Sequence, residues 1–203
     1  PHNRLKNRIN TGLPSHQSRF FMPEKPLSMT LADHAALIGE PCEGPISDQR
    51  AHTDALLQRS GWPKPSKLPN GKPIVEHGHC SVSHGGGWVF AAHSPVPIGI
   101  DVEAATPRLQ KARRRFVGPA DQPVLDFFGD NLDTLCRLWT AKEAAFKVFG
   151  SGLDFLTGLE WKAVHNHSAR ATATAQGMDL DISWQQLSSP TAWLAVALNN
   201  EQA

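Results

Sequence analysis

Residues 139–147 read WTAKEAAFK, inside a longer stretch whose apolar residues keep helical spacing. Leu135, Leu138, Trp139, Phe146 and Phe149 recur at intervals of three, four and seven, which lines them along one face of a helix. Asp133 or Thr134 is placed to cap its start and Gly150 to end it. Glu143 and Lys147 are four apart and share a side of that helix. In that order they make a favoured surface ion pair, worth a few tenths of a kcal/mol, or they face a common ligand. Lys142 falls within the apolar stripe, between Trp139 and Phe146. A lysine there has to snorkel outward or meet an anion.

Upstream, IGIDVE over Ile98–Glu103 has the period of a strand. Ile98, Ile100 and Val102 alternate with Gly99, Asp101 and Glu103, so the two carboxylates share a face opposite an apolar one. Gly99 adds no side chain to the polar face, which leaves room for a ligand to approach. Two hard carboxylates are the minimum of a Mg²⁺ site that takes its other ligands from water and phosphate. The other reading is an edge strand with a solvated acidic face. Read as exposed, Asp101 costs little stability when removed.

The chain has 203 residues, 40% apolar and 19% charged, with net charge +1. It is globular, one domain or two small ones, and its global charge calls for neither nucleic acid nor membrane. Cys42, Cys80 and Cys136 are scattered and odd in number, which points away from a disulfide framework and toward a reducing, cytoplasmic setting. Arg4, Lys6 and Arg8 precede no apolar run, so a secretory signal is not expected. Residues 1–26 read as an irregular arm, 47–59 as a helix, 61–73 as loop, 75–92 as a strand pair, 109–117 as helix, and 123–128 as the start of another. After Gly152 the pattern becomes β, with strands expected at 159–164, 171–174, 180–184 and 192–198. His77, His79, Cys80, His84 and His93 match no standard zinc spacing. Arg108, Lys111, Arg113, Arg114 and Arg115 form a basic run that suits a phosphate backbone or a solvated helix face.

Taken together, these motifs resemble the 4'-phosphopantetheinyl transferases, in the larger, surfactin-synthetase-type branch. Gly99, Ile100, Asp101 and Glu103 match that family's G-[IV]-D-x-E pattern. Trp139, Thr140, Lys142, Glu143, Ala144 and Lys147 match its [FW]-[SCT]-x-K-E-[AS]-x-x-K pattern. A third element, GKP followed by a strand ending in Ser-His, is met by Lys72 and by Ser83–His84. The sequence departs from the family around that strand: Ser81 stands near the usual asparagine, and Gly85, Gly86 and Gly87 follow His84.

The resemblance implies an α+β fold of two similar halves related by a pseudo-twofold, each a small antiparallel sheet packed with helices, with the active site between them. The division would fall near residue 100, giving halves 1–100 and 101–203. It implies transfer of the phosphopantetheine arm of coenzyme A to a serine of an apo acyl or peptidyl carrier protein, by a monomer. Carriers of this kind serve fatty-acid, polyketide or nonribosomal peptide synthesis. Asp101, Glu103 and Glu143 would hold Mg²⁺. Lys147 would face the pyrophosphate, Lys142 would do the same or contact the arm, and Glu143, or a metal-bound water next to it, would act as base. Lys72, Ser83, His84 and Arg50 would bind the phosphates of coenzyme A, and Arg113, Arg114 and Arg115 would dock an acidic carrier. Two rivals remain at this point: a metal-dependent nucleotide phosphohydrolase, which needs no acceptor protein, and a basic nucleic-acid-binding module, which needs no metal.

Overall fold

Gly86 and Gly87, with φ of 56° and 80°, reverse the chain in two residues. Positive φ at both central positions is what a tight hairpin turn requires. They join strands of a computed structural model that describes residues 27–30, 35–42, 44–69 and 71–200. The arm expected over residues 1–26 lies outside the described residues. In chain order the elements are β1 (Leu27–Thr30), β2 (Ala36–Pro41), α1 (Ile46–Arg59), β3 (Ser66–Lys67), β4 (Pro73–Ile74), β5 (His79–Gly85), β6 (Trp88–Ser94) and β7 (Ile98–Glu103). Then come α2 (Pro107–Ala112), single 3₁₀ turns at Arg113–Arg115 and Pro119–Asp121, α3 (Gln122–Phe128) and α4 (Leu132–Phe149). The chain closes with β8 (Leu159–Val164), β9 (Ser168–Ala173), β10 (Met178–Ser188) and β11 (Thr191–Asn199).

The strands form two antiparallel sheets, ordered β1-β2-β6-β5 and β7-β11-β10-β9-β8, beside a small β3–β4 pair. Helix α1 packs on the first sheet, burying Leu56 and Leu57 against Ile38, Val89 and Ala91. Helix α4 lies across β7, β11 and β10. It buries Leu135, Leu138, Ala141, Ala144, Ala145 and Val148 in a core shared with Trp161, Ile182 and Trp184. A third apolar cluster joins the sheets, with Trp88, Phe90 and Ala92 against Ile100, Val102, Leu194 and Val196. This is the expected α+β class, with helices packed on antiparallel sheets.

Four details differ from the sequence reading. The cap of α4 is Asn131, whose Oδ1 accepts the Thr134 amide at 3.0 Å, because the helix starts two to three residues earlier than expected. Gly150 does end it, in the left-handed region at φ 78°. The helix expected over 109–117 stops at Ala112 and tightens into a 3₁₀ turn. Strand β7 pairs along its whole length with β11 of the second sheet, so a division at residue 100 would cut a strand; the sheets part before Ile98. Finally, β1 and β2 form a paired edge that the sequence reading did not anticipate.

Gly99 has a different purpose from the one expected. A Cβ built there would stand 1.9 Å from the Ala144 carbonyl oxygen. The backbone of α4, not a ligand, occupies the space above this residue. Gly99→Ala would push the helix off the strand. Overpacking of this kind costs about 1–3 kcal/mol or more, and the drop should be visible in a urea unfolding curve. An unchanged midpoint would show that α4 can move aside freely.

Candidate active site

Strand β7 offers its outer edge to β5, and two serine hydroxyls complete the join. Ser81 Oγ accepts the Ile100 amide at 3.0 Å, and Ser83 Oγ accepts the Val102 amide at 3.2 Å. These amides have no strand partner on that side, and buried amides need an acceptor. Ser83 then donates to Asp101 Oδ1 at 2.9 Å. Asp101 reaches it because β7 turns Gly99, Asp101 and Glu103 toward α4, while Ile98, Ile100 and Val102 enter the core between the sheets.

Lys147 closes the group from the last turn of α4. Its ammonium donates to Asp101 Oδ1 at 2.8 Å, to the Ile100 carbonyl at 2.9 Å and to Ser83 Oγ at 3.2 Å. Its ion pair is thus with Asp101 across the seam. The surface pair with Glu143 considered from the sequence is not the one formed. The Lys147 side chain remains 28% exposed, so one side of it is open. Asp101 is 6% exposed, and its Oδ2 is buried with no hydrogen-bond partner. The reading of Asp101 as an exposed carboxylate is therefore corrected: its removal strands Lys147 and Ser83 and should cost about 1–3 kcal/mol.

Glu103 and Glu143 are neighbours of Asp101 in the electrostatic sense. Burial, then the Asp101 charge, push the Glu103 carboxyl up to about 7, with Glu143 adding to the rise and Lys147 and Arg108 opposing it. Burial and Asp101 likewise raise Glu143. Too much negative charge is gathered here for one ammonium to neutralise. Among the described residues, however, no three His, Cys, Asp or Glu side chains converge closely enough to enclose a metal ion. Asp101, Glu103 and Glu143 surround a common region without forming a finished cage. Their chemistry still fits Mg²⁺: hard oxygen donors, one buried oxygen without a partner, and carboxyls whose ionised forms lack compensation.

Beside this group an open cleft of about 540 Å³ is lined by Arg50, Thr53, Asp54, Lys64, Lys67 and His84 among others. His84 links it to the carboxylates. Its pKa is lowered by burial and by the charges of Lys147 and Arg50, partly offset by Asp101. A smaller hollow of about 260 Å³ adjoins the cleft, with Lys72, Cys80, Ser81, Phe146 and Lys147 in its walls. Gly71, Pro73 and Val82 line both.

The structure thus sets Arg50 and His84 in the walls of one cleft and pairs Asp101 with Lys147. Three assignments need correction. Ser83 is buried, and its hydroxyl is fully engaged by Asp101, Val102 and Lys147, so it braces the carboxylate and does not reach for a phosphate. Lys72 donates to the Val148 carbonyl at 2.8 Å, at the end of α4 and outside the walls of the Arg50–His84 cleft. Lys142 does not face the pyrophosphate region at all. Its ammonium is enclosed by the Phe116 carbonyl, Asp121 Oδ2 and the Phe155 carbonyl, each at 2.7 Å. In the basic run, Arg113 is tied to Asp130 at 2.7 Å, while Arg108, Lys111, Arg114 and Arg115 are exposed.

Sequence reasoning missed Lys67, on β3, and Lys64, on the segment just before it, both of which line the cleft. Only the basic spacing of PKPSK hinted at them. It named Arg108 only within the basic run and not for its charge on Glu103, and it missed Asp121, whose burial no local pattern announces.

Fold and site together define a class: an α+β protein whose seam sets buried carboxylates and a lysine beside a basic cleft, an arrangement suited to polyphosphate chemistry. Residues 97–198, half of the chain, match the family model of the 4'-phosphopantetheinyl transferase superfamily, and the chain belongs to that superfamily. It is similar to the 4'-phosphopantetheinyl transferase psf-1 of Bacillus pumilus, 35% identical over 91 residues that make up 42% of this chain and 39% of that protein. It is also similar to the 4'-phosphopantetheinyl transferase Sfp of Bacillus subtilis strain 168, 33% identical over 89 residues, 41% of this chain and 40% of that protein. A further Bacillus subtilis 4'-phosphopantetheinyl transferase is 32% identical over 84 residues, 40% of this chain and 38% of its own length. The chain spans about two-fifths of the length of the curated relatives it matches.

The raised pKa of Glu103 has a sign that can be measured. The folded protein holds this proton more tightly than the unfolded chain does, so stability from this group is full below pH 4.5 and is lost as pH rises through about 7. In the metal-free protein, Glu103→Gln should match the wild type in acid and become the more stable of the two above neutrality. Melting curves across that range check this. A constant gap would mean that Glu103 ionises normally.

Proposed function

We propose that the protein transfers the 4'-phosphopantetheine arm of coenzyme A to a serine hydroxyl of an apo carrier protein and releases adenosine 3',5'-bisphosphate. The observation that carries this reading is the Ser83–Asp101–Lys147 group at the seam, with Glu103 and Glu143 in electrostatic reach and the Arg50–His84 cleft alongside. Membership of the superfamily supports it, as does the similarity to the 4'-phosphopantetheinyl transferases of Bacillus.

In this reading the nucleotide end of coenzyme A enters the basic cleft. Arg50, Lys64, Lys67 and His84 bind its 3'-phosphate, and the pyrophosphate extends toward Lys147. Asp101, Glu103 and Glu143 would hold Mg²⁺, which when bound neutralises charge on the pyrophosphate oxygens. The serine oxygen of the carrier forms a bond to the phosphorus on the pantetheine side. The bond from that phosphorus to the bridging oxygen breaks, and its electrons stay with the nucleotide. Glu143 takes the serine proton, from its place one turn before Lys147 on the same helix. Lys147 stabilises the charge gathering on the departing phosphate from a partly desolvated position. The nucleophile belongs to the partner, so the chain needs none of its own. The three thiols Cys42, Cys80 and Cys136 are buried and unpaired, which supports a reducing, cytoplasmic setting. No described helix is long and apolar enough to cross a membrane.

Mass spectrometry of an apo carrier protein incubated with this protein, coenzyme A and Mg²⁺ tests the reaction directly. One added phosphopantetheine arm is the expected product. Asp101→Ala should abolish it, and Lys147→Ala should lower the rate about a hundredfold or more. Hydrolysis of coenzyme A without a modified carrier would favour the phosphohydrolase instead.

The exposed cations following β7 make the second part of the reading. Local fields steer association more than net charge does, and Arg114 and Arg115 project where Arg113 is held by Asp130. Replacing Arg114 and Arg115 by alanine should raise KM for the carrier and flatten its salt dependence. KM for coenzyme A should stay within about twofold, since exposed charges outside the cleft contribute little to it. A shift in the coenzyme A value alone would assign these residues to the nucleotide.

A further inference from the structure

The innermost ion pair of the molecule lies away from the carboxylates of the seam. Lys142 and Asp121 side chains are 2% and 0% exposed. All three ammonium protons of Lys142 find acceptors, at Asp121 Oδ2 and at the Phe116 and Phe155 carbonyls. Asp121 is as fully engaged: its Oδ2 also accepts the Gly118 amide at 2.8 Å, and its Oδ1 accepts Trp161 Nε1 at 3.0 Å. One lysine thus ties α4 to the turn before α3, to the loop before β8 and, through Asp121, to β8 itself.

We infer that Asp121 and Lys142 are positioning residues that fix the rotation of α4 and so place Glu143 and Lys147 over β7. Stability alone does not explain the pair, because a buried ion pair is often matched or bettered by apolar residues of similar volume. What apolar residues lack is direction. Between Leu138 and Val148, where Glu143 and Lys147 lie, the buried face of α4 carries Ala141, Ala144 and Ala145, with Gly99 directly beneath the Ala144 carbonyl. Small residues let the helix lie close, but they offer few ridges to stop it turning. Three bonds from one ammonium to acceptors on separate segments supply that stop.

The working residues are next to this anchor in sequence. Glu143 follows Lys142 directly, about 100° further around the helix, and Lys147 lies about one turn beyond Glu143. A rotation of about 10° moves a group about 5 Å from the helix axis through about 1 Å. A misplacement of that size can cost about a hundredfold in rate. The Lys142 position is therefore tied to the chemistry although its ammonium never meets substrate.

The inference rests on the reading of Glu143 and Lys147 as the working residues, and the experiment separates the two. Asp121→Leu combined with Lys142→Met removes the pair without leaving a buried charge behind. Tm, kcat, KM for coenzyme A and Mn²⁺ affinity, the last followed by the paramagnetic resonance of free Mn²⁺, are measured beside the wild type. The expected result is a lower Tm, because the Phe116 and Phe155 carbonyls, the Gly118 amide and Trp161 Nε1 lose these partners, with kcat at least tenfold lower, KM within threefold, and Mn²⁺ binding at least fivefold weaker. Wild-type kcat and Mn²⁺ affinity in a stably folded double variant would overturn the inference. If the wild type binds Mn²⁺ but transfers nothing, the functional reading fails and the Mn²⁺ affinities alone decide this one. A wild type that does neither removes both. Should the double variant not fold, Trp161→Phe decides. It deletes the bond to Asp121 Oδ1 together with part of a buried ring that stacks on Trp184, so Tm falls, and it should lower kcat and Mn²⁺ affinity threefold or more; unchanged kcat and Mn²⁺ affinity in the folded variant overturn the inference.

Discussion

The two sheets of this protein meet where β7 has no strand on one side. In place of a backbone ladder, Ser81 and Ser83 accept its amides. A serine hydroxyl that accepts an amide still has a proton to give, and Ser83 gives it to Asp101. Asp101 is held by the same bond that holds the sheets together. Lys147 then binds three points of this join, one on each strand and one on the carboxylate. An asparagine or threonine at position 83 would alter the join and the site at once, because one oxygen serves both. This explains why the site sits at the seam: it is where the unpaired edge of β7 creates a demand for polar partners inside an otherwise apolar contact.

The charge of the site follows from that burial. Asp101 has an ammonium and a hydroxyl on one oxygen and nothing on the other. Glu103 and Glu143 have no such bonds among those described, and burial together with the Asp101 charge raises both. Asp101 thus has bonded partners, whereas the ionised forms of Glu103 and Glu143 are disfavoured by burial and by the Asp101 charge and would gain from added positive charge. A divalent cation and the nearby Arg108 are positive charges of the right kind. An incomplete cage is physically consistent with this, since two carboxylates that resist ionisation have no reason to draw together by themselves.

Much of this was legible in the sequence, for reasons that can be named. IGIDVE alternates cleanly, so its strand and the common face of Asp101 and Glu103 could be read directly. The helical spacing of Leu135, Leu138 and Trp139, with Gly150 beyond, gave α4 and its end. Of the strands after Gly152, the one at 159–164 has its observed bounds, while the later three were found but begin earlier than read, β10 extending furthest into polar residues that only pairing with β11 orders. Side-chain destinations were harder. Lys142 lies in an apolar stripe, which says that it must meet an anion, but the anion is Asp121, 21 residues away in a turn. Lys72 stands in a family motif, yet its ammonium ends on the carbonyl of Val148, 76 residues on. Such contacts depend on tertiary placement, and periodicity carries no information about it.

The glycines after His84 show the same limit from the other direction. Three in a row read as a loose turn, but each is filled by a neighbour. A Cβ at Gly85 would meet the Val102 carbonyl at 2.2 Å, one at Gly86 would meet the Ala104 nitrogen at 2.8 Å, and one at Gly87 would meet Pro190 at 2.5 Å. The hairpin of β5 and β6 is therefore pressed onto the end of β7. Its Gly85 lies against the Glu103 side chain, where a Cβ would stand 3.3 Å from the carboxylate. Larger residues would lift the hairpin and let water reach Glu103. Burial is the largest cause of the raised Glu103 pKa, so the absence of side chains at 85–87 helps to set the ionisation of a carboxylate eighteen residues downstream. The same turn fixes the end of β5, which carries Ser83 and His84. Close backbone approach, rather than flexibility, is what these glycines supply.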